Sequence, residues 1–197
     1  MVRLALFDYG AGNIFSLRNS LEKRGAEVDV VTGLKGEYSG LLLPGVGSFD
    51  TAMGRLSAGA VSGFAGEIMP VLGICLGMEV FLDGSDEGIE AGLGVVPGRA
   101  VRLPDTLKVP HMGWNELRMR RPGTLLDGLE DGSWVYFVHS YMARPLNDSA
   151  VTAVSDYGIE VPAVLERGNY MGTQFHPEKS GEVGGRILDN FVRECKR

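Results

Sequence analysis

The sequence predicts an α/β fold of three layers, with a mostly parallel, mixed central sheet flanked by helices. Three observations carry this expectation. Short apolar runs such as 2-VRLALF-7 and 71-VLGI-74 have the length and composition of buried strands. In the first half they alternate with stretches of helical spacing, which implies parallel strands joined by crossover helices. Glycine is frequent, 29 of 197 residues, as suits a chain with many tight turns and close backbone approaches.

Each element follows in order. The strand 2–7 runs into the glycine turn 8-DYGAGN-13, where Asn13 can cap a helix carrying Ile14, Leu17 and Leu21 on one face, with Gly25 as its stop. The segment 27-EVDVV-31 is a second strand. The segment 40-GLLLPGVGSFD-50 is a third strand entering a glycine-rich loop, and Asp50 begins a helix with Met53 and Leu56 on one face. The strand 71–74 leads through Cys75 into a helix from Leu76 to Leu82. The second half offers strands at 99–103, 134–141, 150–155, 162–166 and 170–175, separated by turn residues. A closing helix spans 183–195, with Ile187, Leu188, Phe191 and Val192 on one side. No repeat or linker interrupts the chain, so a single domain over 1–197 is expected. Ligands of such sheets gather beyond the carboxyl ends of the strands. Three loops fall there, after Leu43, Ile74 and Phe175.

Composition excludes several classes. A net charge of −6 argues against an electrostatic grip on nucleic acid. The opening apolar run is short and ends at Asp8, unlike a signal peptide, and no stretch approaches the ~18–20 apolar residues of a membrane helix. Two cysteines, Cys75 and Cys195, make no disulfide framework and suit a reducing cytoplasm. No Cys/His/Asp cluster has metal-ligand spacing, so neither metal nor cofactor is expected.

Gly73-Ile74-Cys75-Leu76-Gly77 has the form of a nucleophile elbow, a sharp strand-to-helix turn that aims its central side chain outward. The flanking glycines remove Cβ atoms from the bend. The helix starting at Leu76 turns its positive end toward the sulfur and favours thiolate, and the Leu76 amide is free to face an oxyanion. The alternative is a buried cysteine in a helix-entry turn. Of the three histidines, His176 has the right setting, at a strand end before Pro177, which holds the backbone extended. Glu178 lies two residues on, on the same side of an extended segment, where its carboxylate can hold one ring nitrogen and leave the other for sulfur. A surface His-Pro-Glu turn is the alternative. The loop 44-PGVG-47 can turn backbone amides toward a ligand and supply a second oxyanion donor, or be an ordinary turn.

Cys75 in GICLGM with His176 and Glu178 in HPE resembles the class I (triad) glutamine amidotransferases. DYGAGN, LLLPGVGSFD, VPHMGWN, YFVHSY and GTQFHPEKS make the chain similar, over nearly its whole length, to the glutaminase subunits of imidazole glycerol phosphate synthase in histidine biosynthesis. The resemblance implies a flavodoxin-like fold and hydrolysis of L-glutamine through a thioester on Cys75, with His176 protonating the departing ammonia. Oxyanion donors would be the amide of Leu76 and one near Val46 or Gly47, in a loop that reorients when the partner is occupied. Without that partner the chain would be nearly idle. Ammonia would pass to a (β/α)8-barrel cyclase subunit in a heterodimer. Glu87 matches the acidic position expected to meet the substrate ammonium, and His139, Ser140 and Tyr141 match a substrate-contacting strand end. Asn13, Trp114, Tyr136 and Lys179 match positions near the partner interface or ammonia path.

One position departs from the family. Glu79 stands where glutamine is usual, one helical turn from Cys75. A carboxylate there would repel the substrate's α-carboxylate, be protonated, or bond its ammonium group. A like-charge contact at about 4 Å costs up to about 4 kcal/mol at an effective dielectric near 20. Other readings are another class I glutaminase, a binding protein that has lost catalysis, and a cysteine redox sensor. VPHMGWN speaks against the first and the His176–Glu178 pair against the last.

Overall fold

The leucine- and valine-rich runs of the first half become the parallel part of an eight-stranded sheet. In this computed structural model, which describes residues 2–10, 14–45, 47–63 and 65–197, the elements follow the expected alternation. They begin β1 (Val2–Phe7), α1 (Phe15–Glu22), β2 (Ala26–Val31), β3 (Gly40–Leu43), α2 (Phe49–Ala58), α3 (Ala65–Ile68), β4 (Val71–Ile74) and α4 (Leu76–Glu79). The second half continues with β5 (Gly84–Ser85), β6 (Gly98–Arg102), β7 (His111–Glu116), β8 (Arg118–Met119), β9 (Trp134–His139) and β10 (Tyr141–Pro145). It closes with β11 (Val151–Asp156), β12 (Glu160–Arg167), β13 (Tyr170–Thr173) and α5 (Gly181–Glu194). Strand order is β2-β1-β3-β4-β13-β12-β11-β8, parallel from β2 to β13 and antiparallel beyond.

The two-residue period of the buried strands divides their side chains between two cores. Ala5, Phe7, Leu41 and Leu43 face one side, where Phe49, Ala52, Met53 and Leu56 of α2 cover them. Leu4, Leu6 and Leu42 face the other, against Leu17 and Leu21 of α1 and Ile187, Leu188, Phe191 and Val192 of α5. Full burial of such side chains stabilises by roughly 1.5–3 kcal/mol each.

Several expectations are corrected. Helices cover only part of each face. A small sheet, β10-β6-β5, covers more of the first through Ala100 and Ala143, and the ribbon β7-β9 more of the second through Val135 and Phe137. The segment VPHMGWN enters strand β7 at His111, with His111 buried and Met112 and Trp114 exposed by alternation. The expected strand 134–141 breaks at Ser140, because β9 pairs with β7 whereas β10 pairs with β6. Helix α4 ends at Glu79 rather than Leu82, since the amides of Phe81 and Leu82 reach back only three residues, to Met78 and Glu79. The last sheet strand ends at Thr173, and α3, β5 and β8 were not anticipated. Asn13, proposed as a cap for α1, lies outside the described residues.

Candidate active site

The elbow is built by the sheet. Cys75 extends β4 by one bond, its amide donating to the Thr173 carbonyl at 2.6 Å, and then turns with φ 51° and ψ −107°. A non-glycine residue so placed costs about 1–3 kcal/mol and persists only when its surroundings impose it. The amides of Met78 and Glu79 donate to the Cys75 carbonyl at 2.9 and 3.0 Å and lock the turn. The framing glycines answer to close approach: a Cβ on Gly73 would strike the Gly77 carbonyl, and one on Gly77 would strike the Leu43 carbonyl of the neighbouring strand. The Leu76 amide faces the sulfur. The expected thiolate is corrected. Burial pushes the Cys75 thiol well above its ordinary range, a charged Glu79 would add to this, and the amides of Leu76 and Gln174 only partly oppose it.

His176 reaches the elbow by leaving the sheet. Gln174 still donates to the Ala163 carbonyl at 2.9 Å, but the His176 amide donates to the Tyr136 carbonyl of β9, also at 2.9 Å. Pro177 to Lys179 form one 3₁₀ turn, not the expected extended segment. Proline suits the first position of such a turn, and the Ser180 hydroxyl donates to the His176 carbonyl at 2.7 Å. Ser180 also accepts the Tyr136 amide at 3.0 Å and so ties the turn to β9. The turn brings Glu178 Oε1 to 2.8 Å from His176 Nδ1. Both side chains are nearly buried. Gly45 of the PGVG loop joins the two halves: a Cβ there would lie 2.8 Å from Cys75 Cβ and 3.1 Å from His176 Cε1.

A cavity of about 320 Å³ opens on Cys75. Gly47, Leu76, Glu79, Glu87, His139, Ser140 and Tyr141, each expected at the substrate site, all line it. Val46 lies outside the described residues. Glu87 is partly committed, because its Oε2 accepts the Phe49 amide at the start of α2 at 2.7 Å. The His139 ring is turned into the wall: Nδ1–H donates to the Tyr141 carbonyl at 2.8 Å, and Nε2 accepts from His111 Nδ1 at 2.9 Å. Burial holds His139 down at about 3 and His111 at about 4, so both rings are neutral at pH 7.

Sequence reasoning missed four contributors. Gln174 bridges the site, its Nε2 3.0 Å from Glu79 Oε1 and 3.7 Å from Cys75 Sγ. Its signal was position, two residues before His176 in a strand end read only as apolar. His111 and Ser180 act through their neighbours, and Pro110 lines the cavity after a cis peptide bond. Beside the site, Trp114 packs edge-on against Tyr136 at 5.9 Å with half its surface exposed, and Lys179 is exposed. Among the described residues no group of three or more His, Cys, Asp or Glu side chains is arranged to hold a metal ion.

The family model for "Glutamine amidotransferase class-I" matches residues 5–195. The chain belongs to the class-I glutamine amidotransferases. This amidotransferase is 48% identical over 209 residues to the imidazole glycerol phosphate synthase subunit HisH of Synechococcus sp. (strain JA-3-3Ab), covering 100% of the chain and 95% of the relative. It is also 48% identical to the HisH subunit of Archaeoglobus fulgidus, covering 98% and 100%. Among solved structures it superposes on a glutamine amidotransferase with TM-score 0.76 at 19% identity, covering all of both chains. The structure of PurLQS from Thermotoga maritima gives TM-score 0.73 at 17% identity, covering 98% of each chain. At those identities the likeness speaks for the fold alone.

Proposed function

We propose that the chain is the glutaminase subunit of an imidazole glycerol phosphate synthase, a single amidotransferase domain that hydrolyses L-glutamine and delivers ammonia to a cyclase subunit in a heterodimer. The observation that carries the chemistry is the convergence of a strained cysteine, a histidine–glutamate pair and the PGVG glycines on one cavity. The names of relatives nearly half identical over the full chain support the pathway and the partner. The two free cysteines suit a reducing cytoplasm, and among the described residues no helix is long and apolar enough to cross a membrane.

The steps follow from the geometry. His176 Nδ1–H donates to Glu178, so Nε2 is the base that serves Cys75. Because burial keeps the thiol protonated, attack on the glutamine side-chain carbonyl and transfer of the thiol proton to His176 are coupled. The oxyanion takes the Leu76 amide and a second donor from the PGVG loop. Collapse expels ammonia, which takes its proton from His176 and leaves a thioester on Cys75. Water, deprotonated by His176, then releases glutamate.

The outer face of the ribbon supports the partner. Met112 pairs with Val138, Trp114 with Tyr136 and Glu116 with Trp134, and Met112, Trp114 and Trp134 are exposed. Val138 also lines the cavity, and Tyr136 holds His176 through its carbonyl, so this apolar face adjoins the chemistry. The test is synthesis by this chain with its cyclase. Cys75→Ala should abolish synthesis from glutamine and leave synthesis from ammonium salts intact. Equal loss of both refutes the assignment, and stimulation by a different synthase but not the cyclase refutes the partner.

A further inference from the structure

Glu79 is an acidic side chain in the cavity wall, and no lysine or arginine among the described residues lines that cavity with it. The residue is 4% exposed and stands beside Cys75. The Gln174 carboxamide donates to its Oε1, and Gln174 is itself fully buried with Oε1 lacking a partner among the described residues. The titratable groups lining the cavity with it are Cys75 from the same turn, Glu87 from the loop after β5, and His139 and Tyr141 from the junction of β9 and β10; behind them Glu178 and His176, from the turn after β13, act on Cys75 and His139. Glu87 and Glu178 are themselves acidic, and His139 is neutral. A carboxyl group in such a place takes up a proton instead of remaining charged.

We propose that Glu79 works as a neutral carboxylic acid, its Oε1 accepting from Gln174 and its hydroxyl donating to the carboxamide of the bound substrate. The proposal rests on the glutaminase reading above. A protonated carboxyl has the shape and the one-donor, one-acceptor face of a carboxamide. Ionisation removes the donor. It also sets a negative charge one amide away from Cys75, where it opposes both the forming thiolate and the developing oxyanion. Burial pushes Glu79 up to about 8, against the pull of the Gln174 N–H and with a contribution from Glu87. Glutamine turnover should therefore fall as the pH rises through that value.

The experiment compares the wild-type complex with cyclase and the same complex carrying Glu79→Gln. Wild-type kcat/KM for glutamine should descend about tenfold per pH unit above the upper transition, and E79Q should lack that limb. The infrared difference spectrum, wild type minus E79Q, should show the carbonyl stretch of a protonated carboxylic acid at neutral pH that disappears on alkalinisation. A descending limb shared by both proteins, or no acid band, overturns the proposal. A band of the expected behaviour in a complex that hydrolyses no glutamine at any pH supports a neutral Glu79 and overturns the glutaminase reading instead.

Discussion

Cys75 holds a positive φ that an L-residue adopts only under constraint, and the constraint is visible in the bonds from Met78, Glu79 and Cys75 itself that close the turn. The strain aims the sulfur at the cavity, burial favours its protonated form, and in the proposed reaction His176 accepts the proton. That division gives Glu178 a measurable task. It holds the ring through Nδ1, and in the proposed reaction it stabilises the imidazolium that forms during attack. Glu178→Gln retains an acceptor oxygen but loses the charge. It should lower kcat by ~10²–10⁴-fold with little change in KM, measured as glutamate release by the complex with cyclase. Ser180→Ala should act less directly. It frees the His176 carbonyl and leaves the Tyr136 amide without its partner, at a cost of ~1–3 kcal/mol in folding stability by urea titration, with a matching fall in kcat as His176 loses its anchor.

Element α4 shows local propensity and tertiary packing in opposition. An alanine in place of a helix-interior glycine ordinarily stabilises by about 1 kcal/mol. At Gly77 the added Cβ would meet the Leu43 carbonyl, so Gly77→Ala should instead destabilise by about 1–3 kcal/mol in denaturant unfolding. The ribbon β7-β9 carries a second prediction. His111 lies between the rings of Phe137 and Tyr157, at 4.5 and 3.9 Å, and donates to His139. Both histidines are held below their ordinary value near 6.5, at about 4 and about 3. As the pH falls through 6.5 the unfolded chain binds protons that the folded one refuses. Stability is therefore full above that value and is lost as the pH drops toward 4. The urea midpoint followed between about pH 7 and about pH 4.5 should fall, and the slope should be shallower in His111→Gln.

In the whole molecule the cavity, the His176 turn and the exposed ribbon face lie together at the carboxyl ends of β4 and β13, where a parallel sheet presents its loops. The antiparallel half, β12-β11-β8, extends the sheet and takes no direct part in the cavity. A partner docking on Met112, Trp114 and Tyr136 would reach the chemistry through one layer of residues. Trp114→Ala should leave the fold intact and raise the dissociation constant of the cyclase complex about 30-fold, corresponding to ~2 kcal/mol, read by titration calorimetry.

The α/β alternation was legible before any coordinates because buried parallel strands and amphipathic helices carry strong periodic signals, as in 2–7 and 183–195. The elbow at Cys75 was legible because a tight strand-to-helix turn demands glycines at fixed positions; the contact of His176 with Glu178 was expected from an extended segment and is made by a 3₁₀ turn instead. Contacts between distant segments were hidden. Nothing local told that Gln174 would bond Glu79, that 134–141 would serve two sheets, or that VPHMGWN would enter a strand with a buried histidine. Period and composition act over neighbouring residues and dictate which elements form. Pairing partners, solvent exclusion around Cys75 and the burial of Glu79 against Gln174 arise only where the packed chain brings residues from far along the sequence into one low-dielectric space.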